Sequence, residues 1–110
     1  MTDENYPYLY ETHCHTCWCS GCGVSTPYEM AGAYYEAGYA GMIFTDHFLR
    51  GNTAVPKDWP WEKKVSRYYD VYLAAREWAK GKDFDVLFGI EHNYGHGKEV
   101  LTYGIDLDFL

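Results

Sequence analysis

Side chains that can bind a metal ion stand directly after three apolar segments of the chain: His13 and His15, then Asp46 and His47, then Glu91. Imidazole nitrogens and carboxylate oxygens are ligands suited to zinc, manganese or iron. One His-x-His pair is weak evidence by itself. Three apolar segments that each end in such a residue are a stronger indication, so we predict a divalent-metal site.

The first of these segments predicts a strand over residues 8–15, because apolar and polar residues alternate with period two. Leu9, Glu11, His13 and His15 would then share one face of that strand. The two imidazoles are therefore expected to point the same way.

A helix is predicted to follow at Thr26, which serves as N-cap before Pro27 at the first helical position and Glu29 three residues after the cap. Gly38 is placed to end it in the left-handed conformation. The apolar run 41–45 then predicts a second strand, parallel to the first.

The pattern repeats after a loop over residues 51–60. A long helix is predicted from Trp61 to Lys80, with Gly81 as its stop. Its expected apolar stripe is Val65, Tyr69, Tyr72, Arg76 and Ala79. The run 84–90, almost continuously apolar, predicts a third strand covered on both faces and ending at Glu91. A turn at 95–97 and a short strand over 99–104 complete the prediction.

These elements predict an α/β fold with a parallel βαβαβ arrangement and one domain over residues 1–110. In such folds, functional side chains gather where the parallel strands end at their carboxyl side. The candidate ligands occupy that side in all three strands.

The four cysteines all fall within residues 14–22. A zinc ribbon needs two Cys-x-x-Cys pairs well separated along the chain, whereas one residue separates Cys17 from Cys19. An iron–sulfur site usually has a different spacing. The alternatives are therefore a cysteine metal cluster or small side chains packed in a tight loop.

Composition excludes several classes of protein. Apolar residues make up 47% of the chain, which argues against disorder, and the net charge of −7 argues against a nucleic-acid-binding face. The longest apolar stretch is about half of the ~20 residues that a membrane helix needs. The acidic start, residues 1–5, does not resemble a signal peptide, so we expect a cytoplasmic protein with reduced cysteines.

Three short motifs resemble the polymerase and histidinol phosphatase (PHP) superfamily: residues 11–16 (ETHCHT), 45–47 (TDH) and 89–91 (GIE). Residues 20–23 (SGCG), 35–41 (YEAGYAG) and 103–106 (YGID) also resemble segments of that family. The resemblance runs in order over nearly the whole chain.

This resemblance implies the front part of a distorted (βα)7 barrel that hydrolyses phosphate esters with two or three divalent ions of zinc, manganese or iron, as a histidinol phosphatase does. His13 and His15 would bind the first ion and Glu91 would bridge two ions. His47 would bind a third, and Cys22 lies near the position of a further ligand. Glu91 and His47 would thereby be the catalytic residues.

Other residues near the motifs have two interpretations each. Glu11 could orient an imidazole ring. Asp46 could do the same or cap a turn. Arg50 could contact a substrate phosphate, although a solvated arginine is the simpler interpretation. His92 and His96 match no ligand position of the family and are expected to be solvated.

Barrels of the related βα type begin near about 200 residues, and this sequence has 110. We therefore expect a missing C-terminal half, completion of the site in a homo-oligomer, or a non-catalytic module that binds metal or assembles with partners. The expected partner is a small phosphorylated substrate, with neither a membrane nor, for this chain alone, a nucleic acid.

Overall fold

The structure, a computed structural model, describes residues 8–110, so the acidic start on which the cytoplasmic prediction rests lies outside the described residues. The described helices and strands are β1 (Tyr10–Cys14), α1 (Pro27–Glu36), β2 (Gly41–Phe44), α2 (Trp61–Ala79), β3 (Asp85–Gly95) and β4 (Lys98–Tyr103).

The four strands form one sheet in the order β1-β2-β3-β4. β1 pairs with β2 and β2 with β3 in parallel, while β3 and β4 form an antiparallel pair. The predicted α/β class and the parallel βαβαβ arrangement are confirmed. The seven-unit barrel stays a prediction.

Helix α1 begins and ends as its sequence predicts. The Thr26 hydroxyl accepts a hydrogen bond from the Glu29 backbone at 3.2 Å, and the Glu29 carboxylate accepts one from the Thr26 backbone at 2.9 Å. This reciprocal cap satisfies two backbone donors that the first helical turn would otherwise leave unpaired. Gly38 follows the helix with a φ of 88°, which a side chain would disfavour.

The predicted apolar stripe of α2 is confirmed at Val65 and Ala79, and Tyr69 and Tyr72 are half-buried against the core, but the stripe is wrong at Arg76. Arg76 is exposed, and the buried line is Val65, Tyr68, Val71, Ala75 and Ala79. Both lines fit a period of 3.6 residues, so hydrophobicity alone could not separate them. On the buried line, the Tyr68 hydroxyl donates to the His47 carbonyl at 2.7 Å. Across residues 8–110, no helix combines the length and apolarity needed to cross a membrane.

Strand β1 contains an irregularity that the alternating pattern did not predict. Glu11 pairs with Met42 and Cys14 with Phe44, so three steps along β1 match two steps along β2. The extra residue is a β-bulge, which reverses the alternation of faces. Glu11 therefore lies on the same face as Cys14, opposite His13.

The helices pack against one face of the sheet. Phe88 of β3 contacts Tyr69 and Tyr72 of α2 on that face, whereas Leu87 on the other face is 47% exposed. The prediction that both faces of β3 are covered is therefore wrong within the described residues. β3 also continues through Gly95, beyond the predicted end at Glu91, because β4 pairs with it.

Tyr103 of β4 connects the two outer strands of the sheet. Its hydroxyl donates to the Thr12 carbonyl of β1 at 2.7 Å. Its ring passes Gly89, where an added Cβ would lie 3.1 Å from the ring and 2.6 Å from the Thr102 carbonyl oxygen. Gly89 therefore leaves room for a curled sheet in which β4 approaches β1.

The loop after β1 is held closed by backbone contacts. The Cys17 amide donates to the Ser25 carbonyl at 2.9 Å, and the Gly23 amide donates to the Ser20 carbonyl at 3.1 Å. An added Cβ at Gly23 would lie 2.1 Å from the Thr16 carbonyl oxygen. Only glycine fits this closed loop.

Gly23→Ala should therefore destabilise the fold, with an expected loss of about 1–3 kcal/mol in the free energy of unfolding, since a backbone atom must move. Urea denaturation measures the change. The matched control is Gly32→Ala on α1, where the new Cβ would make an ordinary contact of 3.6 Å with Trp78. That variant should gain about 0.5–1 kcal/mol from helix propensity. Equal stability of Gly23→Ala and the wild type would contradict the closed loop.

Candidate metal centre

Two imidazole rings contact one carboxylate at the carboxyl ends of β1 and β3. The Nε2 atoms of His13 and His15 lie 2.5 Å and 2.8 Å from Oε1 of Glu91. Parallel pairing through β2 puts these strand ends side by side, and the bulge in β1 turns both rings to the face that carries Glu91. Residues separated by more than seventy positions thus form one cluster.

Glu91 is charged within this cluster. Its side chain is only 10% exposed, and this burial favours the neutral form. Hydrogen bonds with His15 and His13 outweigh the burial and lower the pKa of Glu91 below its usual value, helped by Glu99 and the charge of His47. The carboxylate is therefore available as an anionic ligand at neutral pH.

His47 reaches the same carboxylate from the segment that follows β2. Its Nδ1 lies 3.7 Å from Oε2 of Glu91, the oxygen opposite the one that faces His13 and His15. Backbone bonds fix this placement, because the Glu91 amide donates to the Asp46 carbonyl and the Phe48 amide donates to the Glu91 carbonyl, both at 3.0 Å.

Glu99 is a member of the cluster that the sequence analysis missed. Its Oε2 lies 2.9 Å from Nδ1 of His47. The β3–β4 hairpin positions it, since Glu99 pairs with Asn93, two residues beyond Glu91 on the same face. The predicted turn at 95–97 was the available signal, because folding the chain back there returns Glu99 towards Glu91.

Cys22 lies on the other side of His15. Its Sγ is 3.3 Å from Nδ1 of that ring, whereas Nε2 of the same ring faces Glu91. The thiol is exposed and comes from the closed loop after β1. It therefore contacts the cluster from the solvent side.

The described residues contain three overlapping groups of possible metal ligands, in each of which the ligand atoms lie within 4.8 Å of one another: His13, His15 and Glu91; His47, Glu91 and Glu99; His15, Cys22 and His47. Two ligands of a tetrahedral zinc ion are about 3.3–3.6 Å apart, as the zinc–ligand distances require. Nitrogen, oxygen and sulfur donors at this spacing fit divalent ions.

A buried carboxylate holds the framework behind these ligands. Asp46 is 3% exposed and accepts hydrogen bonds from the Thr16 amide at 2.6 Å, the Thr16 hydroxyl at 2.9 Å and the Ser20 hydroxyl at 2.7 Å. The Ser20 oxygen in turn accepts from the His47 amide at 2.9 Å. Burial raises the pKa of Asp46, and the hydrogen bonds from Ser20 and Thr16 oppose that shift. Through these contacts Asp46 caps the backbone and hydroxyl donors of the loop after β1.

Glu11 does not contact an imidazole ring through any hydrogen bond within residues 8–110. Its Oε1 accepts from the backbone amide of His13 at 3.1 Å, and its carboxylate also contacts the Tyr34 hydroxyl on α1. The bulge in β1 is the reason, because it places Glu11 on the helix side of the sheet. The expected role in orienting a ring is therefore wrong.

The remaining candidates lie at the margin of the cluster. Arg50 is exposed beside Gly51, and an added Cβ at Gly51 would lie 3.5 Å from Nδ1 of His47. His96 occupies the hairpin turn with a φ of 56°, and neither His92 nor His96 joins a ligand group of the described residues. His96 is exposed as expected, whereas His92 is half-buried, so its expected solvation stays a prediction.

The four cysteines do not form one metal cluster in the part of the chain that the structure describes. Cys14 and Cys19 are buried in the core, whereas Cys17 and Cys22 are exposed. Burial raises the pKa of Cys14 to about 12, with added effects of the Asp46 and Glu11 charges, and burial also raises the pKa of Cys19. The hypothesis of a metal centre made of four cysteines is wrong, and the packing interpretation is confirmed for the two buried thiols.

No family model matches the chain. Among curated proteins it is similar to a probable histidinol-phosphatase from Deinococcus radiodurans, with 33% identity over 96 residues that cover 83% of this chain and 34% of that protein. The chain thus spans about a third of the length of the relative it matches.

Among solved structures the chain is similar to a crystal structure from Bifidobacterium adolescentis described as that of a metal-dependent phosphoesterase. The TM-score is 0.53 and the identity 20%, over 86% of this chain and 26% of the other. At this identity the likeness shows the fold, an α/β sheet of the same kind.

Asp46→Asn should destabilise the chain by about 1–3 kcal/mol, because one of the two accepting oxygens becomes an NH2 group, which cannot accept the hydrogen bond donated to that position. Urea denaturation in the presence of a chelator measures this loss without a contribution from bound metal. The control is the exposed Asp58→Asn, which should change the free energy of unfolding by less than about 0.5 kcal/mol. A stable Asp46→Asn variant would show that the loop does not depend on this carboxylate.

Proposed function

The chain is related to the PHP superfamily, and on that basis we propose that it acts as a metal-dependent phosphoesterase that hydrolyses small phosphate esters in the manner of a histidinol phosphatase. The observation that supports this most is the convergence of His13, His15 and His47 on the two oxygens of Glu91. Such a convergence of imidazoles on one buried carboxylate suits a shared divalent-metal centre.

In the proposed site, His13 and His15 would hold one ion, Glu91 would be shared between two, and His47 would hold another together with Glu99. Bound ions would supply charge for the phosphate oxygens and a water molecule of lowered pKa. The chain's own residues set the arrangement: Glu91 would provide the shared anionic carboxylate, and Glu99 would orient His47 through its contact with Nδ1. We propose that these ions are zinc, manganese or iron.

The negative charges of the site explain why the proposed activity requires a metal ion. Glu91 and Glu99 bring two carboxylates to a site whose proposed substrate is also an anion, so the metal-free chain should repel a phosphate ester. Arg50, an exposed residue three positions after His47, is proposed to contact the substrate phosphate. The open position of His13, whose side chain is 50% exposed, leaves a path for the substrate.

The second candidate function is a non-catalytic module that binds metal or assembles with partners. The same exposure of His13 favours it, since a catalytic site that must exclude water is usually more enclosed. A groove of about 670 Å³ lies instead between the end of α2 and the start of β3, and no candidate ligand lines it. This alternative predicts bound metal without hydrolysis of any phosphate ester.

Glu91→Gln should remove the bridging charge and lower both metal content and phosphate release. We expect phosphatase activity to fall at least about 100-fold, because several kcal/mol of charge stabilisation are lost. Activity is measured by phosphate release from histidinol phosphate and from an aryl phosphate with added Mn²⁺ or Zn²⁺. Metal content is measured by elemental analysis.

The control for this experiment is His96→Asn, which removes an imidazole outside the cluster and keeps a residue that tolerates the left-handed backbone. It should behave as the wild type. Full metal content in Glu91→Gln would contradict the proposed centre. Metal bound by the wild type without phosphate release from either substrate would favour the non-catalytic module.

Glu99→Gln should weaken metal binding about 10–100-fold, because it removes the carboxylate charge that faces His47. Calorimetric titration with Mn²⁺ measures the change. Glu36→Gln, at the exposed end of α1, is the control and should bind Mn²⁺ as the wild type does. Unchanged affinity in Glu99→Gln would remove Glu99 from the proposed site.

A further inference from the structure

We propose that Tyr68 is a positioning residue of the candidate metal centre, whose hydroxyl holds the backbone of His47 so that the imidazole ring stays on Glu91 and Glu99. For the metal-bound state, this role rests on the proposed function. It connects the centre to helix α2, from which none of the described residues joins a ligand group.

Hydrogen bonds hold the backbone of His47 from two directions. On the side of the sheet, Glu91 is bonded to the residues before and after His47, and the His47 amide donates to the Ser20 hydroxyl at 2.9 Å. The His47 carbonyl accepts from the Tyr68 hydroxyl at 2.7 Å, and it has no second donor within residues 8–110. Tyr68 thus completes the attachment of the segment that carries the ring.

Each proton of this contact has one acceptor. A carbonyl can only accept, so the single Tyr68 proton lies on the bond to His47. The Tyr68 oxygen is then free to accept from the Thr53 hydroxyl at 2.6 Å. The competing acceptor of the Thr53 proton, the Cys19 carbonyl at 3.1 Å, already accepts from the Ala54 amide at 2.8 Å. A chain of hydrogen bonds therefore runs from Thr53 through Tyr68 to His47.

The phenol ties His47 to a rigid part of the core. Tyr68 is 2% exposed, and its ring centroid lies 5.0 Å from that of Phe48. Nδ1 of His47 lies 2.9 Å from Oε2 of Glu99 and 3.7 Å from Oε2 of Glu91. Functional side chains must be held to within about 0.5 Å, so a small shift of the His47 backbone would take the ring out of position.

Tyr68→Phe tests this role in the metal-free chain. The variant keeps the ring that packs on Phe48 and leaves the His47 carbonyl without a donor. The full chain is labelled with ¹³C and ¹⁵N, and the imidazole resonances of its five histidines are compared at one pH in the presence of a chelator. His47→Gln assigns the His47 signals. We expect the His47 resonances to shift, while those of His13 and His96 keep their wild-type values.

Tyr72→Phe is the matched control, because it makes the same chemical change on the same helix. The Tyr72 ring packs on Phe88, and its hydroxyl has no hydrogen bond in the part of the chain that the structure describes. All histidine resonances should keep their wild-type values in this variant. Circular dichroism shows that each variant is folded.

Thr53 provides a second pair of variants that does not alter α2. Thr53→Val removes the hydroxyl that faces Tyr68 and should shift the His47 resonances in the same direction. Thr53→Ser keeps a hydroxyl at that position and should leave them at their wild-type values. Equal shifts in the two Thr53 variants would overturn the chain of hydrogen bonds.

Calorimetric titration with Mn²⁺ measures the consequence for metal binding. Tyr68→Phe should weaken the ion held by His47 and Glu99 at least about tenfold, and the ion held by His13 and His15 less than about threefold. A double-mutant cycle with Glu99→Gln separates positioning from a general loss of stability. If Tyr68 acts through the ring of His47, Tyr68→Phe should weaken binding less than about twofold once Glu99→Gln is present.

The outcomes distinguish this role from the proposed function. Unchanged His47 resonances in a folded Tyr68→Phe variant, or fully additive losses in the double-mutant cycle, would overturn the positioning role and leave the metal centre intact. Failure of the wild type to bind Mn²⁺ would count against the metal centre, and the resonances of the metal-free chain would still decide whether Tyr68 positions His47.

Discussion

The buried carboxylate of Asp46 is the interaction on which the geometry of the cluster depends. It accepts three hydrogen bonds from the loop after β1, while the backbone on either side of it is tied to Glu91 and to Ser20. A buried carboxylate is costly unless its oxygens are satisfied, and here the donors that satisfy it belong to the segment that carries Cys22. The same hydrogen bonds thus offset the desolvation cost of Asp46 and hold the loop after β1 in place.

The parts of the fold that could be predicted from the sequence are those encoded locally. The cap at Thr26, the left-handed residue Gly38 and the ends of the parallel strands each depend on a few adjacent residues. Because parallel strands must end on the same side of a sheet, strand order placed His13, His15 and Glu91 at the same edge. The face to which the two rings turn depends in addition on the bulge in β1.

The parts that could not be predicted depend on pairing between distant residues. The bulge that turns Glu11 away from His13 arises from a mismatch of β1 with β2, and the alternating pattern of β1 does not contain it. Tyr68, which the predicted stripe of α2 leaves out, is buried with its hydroxyl on the distant His47 carbonyl. The register of the β3–β4 hairpin brings Glu99 into the cluster. The turn glycines alone do not determine that register, because it depends on how the two strands align.

The contact between Tyr103 and Thr12 bears on the order of folding events. The two residues are separated by 91 positions, and the loop-closure entropy of such a contact must be overcome before the contact contributes stability. The local helices can form early, whereas the junction of β1 with β4 must wait until most of the chain has been synthesised and collapsed. During synthesis, His13 and His15 therefore emerge long before Glu91 exists to meet them, and the nascent chain passes through a stage in which these imidazoles are open to any available cation.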